Sequence, residues 1–89
     1  MIKLKAEIKW AEITKKLEIA NGRHFLYFLK ENNIVVYVGR SSRIYDRLTN
    51  HKYNKHFDSI YLAETDTKYS LRILERKMIK KLNPIYNFK

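Results

Sequence analysis

The chain has no cysteine, two glycines and one proline in 89 residues. Without thiols, neither a disulfide nor a thiolate zinc site can hold or catalyse anything. With few chain breakers, no repeat and no low-complexity stretch, it reads as continuous structure joined by tight connections. Acidic residues are also scarce, 9 against 19 Lys and Arg, which leaves a formal net charge of +10. Such an excess draws polyanions, nucleic acid first and an acidic membrane surface second, although biased genomic composition also yields lysine-rich chains. No apolar run approaches the ~20 residues that span a bilayer, and the N-terminus lacks a signal-peptide core, so the expected compartment is the cytoplasm. The hydrophobic content, 45 %, suits a globular fold rather than a disordered arm. The length supports one domain over residues 1–89.

Trp10, Ile13, Leu17 and Ala20 fall at helical spacing among lysines and glutamates, predicting an N-terminal helix over about residues 4–20, stopped by Asn21-Gly22. The core that follows runs from 24 to 87. Residues 24–30 and 34–39 are aromatic and β-branched, with Asn32-Asn33 between them, and predict a β-hairpin. Ser41-Ser42 can cap a helix over 43–53 that buries Ile44 and Leu48. Phe57 to Ala63 reads as a third strand. Thr65-Asp66-Thr67 caps a long helix to Leu82 with the stripe Leu71, Leu74, Met78 and Leu82, ended by Asn83-Pro84. The expected architecture is α+β: a three-stranded antiparallel sheet flanked by helices, in the order α-β-β-α-β-α.

Five residues stand out against this background. A turn centred on Asn32-Asn33 sets Tyr27 opposite Val38, with Tyr37 its diagonal neighbour. Arg47 and His51 are four apart and share one helix face. Glu75 lies between Leu74 and Met78, at the margin of an apolar stripe. Each has a plain structural reading. Tyrosines at strand ends are usually core with a wet hydroxyl, Arg47 and His51 can be a solvated edge, and Glu75 beside Arg76 and Lys77 can be a surface ion pair. Asn87 in the tail can be a turn residue. The joint pattern is what carries chemistry: two phenols, a guanidinium, an imidazole and a single carboxylate.

That pattern resembles the GIY-YIG nuclease family. The family's first motif appears as Phe25-Leu26-Tyr27, with Phe and Leu where Gly and Ile are usual, and the second as Tyr37-Val38-Gly39. Arg47 falls at the family's arginine, eight residues after that glycine, and His51 one turn on. Glu75, within Leu74-Glu75-Arg76-Lys77-Met78-Ile79, matches its metal-binding glutamate. Asn83-Pro84-Ile85-Tyr86-Asn87 looks like its closing motif. The resemblance covers residues 25–87 and implies a metal-dependent DNA endonuclease with one Mg²⁺ or Mn²⁺ on Glu75. It further implies that Tyr27 is the general base, with Tyr37 orienting the water or sharing that role, His51 relaying a proton and Arg47 stabilising the transition state. Arg40, Arg43, Lys52 and Lys55 are then expected along the DNA backbone, and Asn87 on a substrate phosphate or at the end of the Glu75 helix. A homodimer, or a separate protein that supplies target recognition, is compatible with a bare domain of this kind. The competing expectations are a catalytically idle nucleic-acid-binding domain on the same fold and a plain interaction module whose tyrosines are core.

Overall fold

The computed structural model describes residues 2–9, 22–65 and 68–87. In chain order the elements are β1 (Ile2–Lys9), β2 (His24–Glu31), β3 (Ile34–Ser41), α1 (Ile44–Lys52), β4 (Ser59–Thr65) and α2 (Lys68–Leu82). A 3-10 turn, Ile85–Asn87, follows. The strands form one antiparallel sheet in the order β1-β4-β2-β3. The class is α+β, as the sequence predicts, but the sheet has four strands rather than three.

The extra strand replaces the start of the predicted N-terminal helix. Residues 4–9 lie in β1, paired with β4 from Ile2↔Thr65 to Lys9↔Ser59. The remainder of that prediction, 10–20, lies outside the described residues. The apolar residues Ile2, Leu4, Ala6 and Ile8 alternate with Lys3, Lys5, Glu7 and Lys9, a period of two that suits a half-buried strand. Ile8 packs against the core beside Ile60.

The central strand, β2, is covered on both faces, which explains its unbroken buried run from Phe25 to Leu29. Phe25, Tyr27 and Leu29 meet Ile44 and Leu48 of α1, together with Ile60 and Leu62 of β4. On the opposite face Leu26, Phe28, Val38 and Ala63 meet Leu71 of α2, with Leu74, Met78 and Ile79 partly buried against them. Leu82, predicted to extend this stripe, is 37 % exposed at the helix end. Phe57 is buried but precedes β4 rather than beginning it.

Two details of the hairpin fix the site. Asn32 and Asn33 both adopt positive φ, 50° and 67°, giving the tight two-residue turn their amide side chains permit. Beyond it the register shifts between Leu29 and Lys30: Lys30 pairs with Val35, whereas Leu29 pairs with Tyr37. Val36 is therefore an extra residue, a β-bulge, and Tyr27 pairs with Gly39 instead of the predicted Val38. A slip of one residue exchanges the faces of a strand, so this bulge is what places Gly39 and Tyr37 on the same face as Tyr27. Ser41 accepts a hydrogen bond from the Arg43 amide at 2.8 Å, but Arg43 is the residue at the cap of α1, and no side chain caps the helix. Asn83 closes α2 in the left-handed region, φ 51°, ahead of the buried Pro84. No helix among the described residues is long and apolar enough to cross a membrane.

Candidate active site

The sheet face under α1 carries Tyr27 at its centre, 1 % exposed. Its ring lies directly over Gly39. A Cβ on Gly39 would stand 2.5 Å from the Tyr27 hydroxyl, 2.6 Å from Tyr27 Cζ and 2.9 Å from Tyr37 Cε2. The glycine is therefore required for space, as the seat of one phenol and the margin of the other. Tyr37, two residues along β3 and half-buried, packs its ring 6.1 Å from that of Tyr27.

Helix α1 crosses this face and delivers His51. The Tyr27 hydroxyl and His51 Nε2 are 2.7 Å apart. The imidazole centroid is 5.6 Å from the Tyr27 ring and 4.7 Å from the Tyr37 ring, so the three rings form one cluster. Burial lowers the His51 pKa to about 4, assisted by the positive charges of Lys55 and Arg47. The imidazole is neutral at physiological pH. The Tyr27 phenol is pushed the other way, well above its usual value, first by burial and then by Tyr37, with Glu75 adding to the rise and Arg47 partly opposing it. Arg47 favours the phenolate, but desolvation outweighs it. Tyr27 is thus a neutral phenol beside a neutral imidazole.

Lys55 Nζ stands 5.0 Å above the Tyr37 ring and 5.9 Å from that of Tyr86, at the rim of the cluster. Glu75 approaches from α2, its side chain 23 % exposed, and accepts a hydrogen bond from Arg40 Nε at 3.0 Å. Beside these groups opens a cleft of about 680 Å³ lined by Arg40, Arg43 and Arg47, with Ser42 and Asn50 between them. Arg43 pairs with Asp46 within that lining at 2.9 Å. Among the described residues no group of three or more His, Cys, Asp or Glu could jointly hold a metal ion. The other inward carboxylate, Glu64, is bound by Arg23 through two hydrogen bonds of 2.7 and 2.5 Å.

The five residues singled out from sequence meet here unequally. Tyr27, Tyr37 and His51 touch; Arg47 and Glu75 reach Tyr27 through their charges. Arg40, Arg43 and Lys55 lie along the cleft or the rim. Two of the expected substrate contacts sit differently. Lys52 donates to the Phe57 carbonyl and lies 4.3 Å over the Phe57 ring, tying α1 to the loop before β4. Asn87 accepts from the Val38 amide at 2.9 Å and donates to the Val38 carbonyl at 3.1 Å, so its amide extends the hydrogen-bond ladder at the β3 edge. Two participants enter the sequence reading only as motif members with no role given. Gly39 gains its role from its place opposite Tyr27, which the bulge sets. Tyr86 accepts from the His56 amide at 3.0 Å and packs against the core, and it carries no sequence signal apart from the closing motif.

No protein-family model and no curated protein matches the sequence. Solved structures do. The chain is similar to the GIY-YIG N-terminal endonuclease domain of UvrC from Thermotoga maritima bound to magnesium, its catalytic divalent cation, with a TM-score of 0.65 and 23 % identity. That match covers 81 % of this chain and 91 % of the other. Its fold is that of the GIY-YIG endonuclease domain. A tyrosine-to-phenylalanine variant of the same domain gives a TM-score of 0.68 at 24 % identity, covering 84 % of this chain and 93 % of that one. An asparagine-to-alanine variant gives 0.65 at 23 %, covering 81 % and 90 %. In the GIY-YIG fold described above, Tyr27, Gly39 and Tyr37 occupy the paired strands of the hairpin, and Glu75 the long helix.

Proposed function

We propose that the chain is a metal-dependent DNA endonuclease hydrolysing phosphodiester bonds at the Tyr27–His51 cluster. The observation that carries this reading is the 2.7 Å contact between a buried phenol and a neutral imidazole, with Arg47 and Glu75 near enough to act on the phenol through their charges. A purely binding domain has no use for a proton donor and acceptor held in that register.

The donor set fits one hard divalent cation. Glu75 is a partly exposed carboxylate, and among the described residues it belongs to no group of three or more His, Cys, Asp or Glu. Mg²⁺ suits such a site because it keeps several waters while taking one or two carboxylates. Glu75 would hold Mg²⁺ or Mn²⁺, which supplies Lewis-acid stabilisation of charge on the phosphate and the leaving oxygen. The chain's own groups do the rest. Because burial keeps Tyr27 protonated, a preformed phenolate is not the base. Tyr27 instead passes its proton to His51 Nε2 as its oxygen takes one from the attacking water. The hydroxide so formed bonds to phosphorus, the bond to the 3′ oxygen breaks, and that oxygen is protonated by solvent. Tyr37, against both rings, orients the water. Arg47 and Lys55 keep the imidazole neutral, and Arg47 faces the phosphate from the cleft. Arg40 and Arg43 follow the DNA backbone, giving affinity and register without reading sequence. Lys52 and Asn87 act through the fold: Lys52 steadies the end of α1 just after His51, and Asn87 steadies β3 between Tyr37 and Gly39.

Supercoiled plasmid incubated with the purified chain should be nicked with Mg²⁺ or Mn²⁺ and left intact with EDTA. Glu75→Ala should remove cutting while retaining the fold and the ability to bind DNA. Metal-independent cutting, or full cutting by the variant, would refute the assignment of Glu75.

A further inference from the structure

Arg40 follows Gly39 at the end of β3 and spans to the middle of α2, where its Nε donates to Glu75 Oε1 at 3.0 Å. The two side chains are 41 % and 23 % exposed. An ion pair so open to solvent adds little to stability. Its position is more informative than its strength. Arg40 covers an oxygen of Glu75, the carboxylate assigned to the divalent cation above, and the same residue lines the cleft suited to a phosphate backbone. Its Nε is held by Glu75 while the side chain lines the cleft where a phosphate would bind, and that nitrogen cannot serve both.

We infer that Arg40 couples cation binding to substrate binding. Without DNA it competes with the cation for Glu75. A phosphate entering the cleft draws the guanidinium away, which uncovers the carboxylate as substrate arrives. Guanidinium suits this exchange because it stays charged and bonds carboxylate and phosphate with the same planar fork. Linkage is reciprocal, so whatever factor DNA gives to cation affinity, the cation gives to DNA affinity. The free chain is thereby biased toward its metal-poor form. This inference rests on the proposed assignment of Glu75.

Mn²⁺ is the probe, its free concentration followed by electron paramagnetic resonance in the absence of DNA. Arg40→Gln should bind Mn²⁺ about two- to fivefold more tightly than the unaltered chain, the span of a partly exposed ion pair. Lys81→Gln, which removes an equal charge from the last turn of the helix that carries Glu75 and lies outside the cleft, should bind as the unaltered chain does. Adding a phosphorothioate oligonucleotide, which resists hydrolysis, should tighten Mn²⁺ binding by a similar factor in the unaltered chain and leave Arg40→Gln unchanged. Equal Mn²⁺ affinity of Arg40→Gln and the unaltered chain, an equal gain in Lys81→Gln, or equal tightening of Arg40→Gln and the unaltered chain by the oligonucleotide would overturn the coupling. Glu75→Gln separates the premises: if it binds Mn²⁺ as tightly as the unaltered chain, the assignment of Glu75 fails and the coupling with it.

Discussion

Adding one methyl group to Gly39 should disable the site while leaving most of the fold. The new carbon would stand 2.6 Å from Tyr27 Cζ and 2.5 Å from its hydroxyl. Non-bonded carbons prefer about 3.5–4.0 Å, so the ring must retreat by roughly 1 Å. It has little room to do so, being 1 % exposed and packed among Phe25, Leu29 and Leu48. Overpacking of this kind costs about 1–3 kcal/mol. The same retreat takes the hydroxyl off the position that gives its 2.7 Å contact with His51. Misplacing a reacting group by about 1 Å can lower a rate ~10²-fold. Gly39→Ala should therefore unfold cooperatively in urea with a modestly lowered midpoint, and nick plasmid about a hundredfold more slowly under single-turnover conditions. Gly22→Ala is the control. Nothing lies within 4 Å of its added Cβ, but its φ of +92° is one that side chains resist, so it should lose stability and keep its activity. If Gly39→Ala cuts within twofold of the unaltered chain, the close seat of Tyr27 does not set the reacting geometry.

Removing the β3 brace has a different signature. Asn87→Ala deprives the Val38 amide and carbonyl of their partners and should cost about 1–3 kcal/mol in chemical denaturation, with slower cutting but undiminished Mn²⁺ binding. The depressed His51 pKa fixes a pH dependence. Between about pH 6.5 and about pH 4 the unfolded chain binds a proton at His51 that the folded chain refuses, so stability falls as pH is lowered through that window. After allowance for solvent screening at a half-buried site, the loss should be about 1–2 kcal/mol. His51→Gln should lack that component when its urea midpoints at pH 7 and pH 4.5 are compared with those of the unaltered chain.

Much of this was legible in the residues. The hairpin, both helices of the core and the meeting of Tyr27, Tyr37 and His51 follow from turn chemistry, apolar periodicity and motif spacing. The rest shares a cause, since each point depends on pairing or burial that only the folded chain sets. β1 was hidden because a helical pattern beginning at Trp10 was extended backward over a segment whose own period is two. Its place beside β4 is a contact across more than fifty residues. The Val36 bulge has no local signature, yet it decides which face Tyr37 and Gly39 occupy. Asn87 and Lys52 carry polar groups that would serve a substrate equally well. Only the fold shows that these groups are engaged with the Val38 backbone and with Phe57. The direction of the Tyr27 shift was also out of reach, because it depends on how completely the phenol is desolvated.

The central claim is that Tyr27 and His51 act as one proton-transfer unit. Single-turnover cleavage by Tyr27→Phe, His51→Ala and the double variant tests it directly. Each single change should slow cutting by about 10²–10⁴-fold, and the double variant should be no slower than the worse single, because either change breaks the same relay. Losses that multiply in the double variant, or a Tyr27→Phe chain that cuts at the unaltered rate, would contradict it.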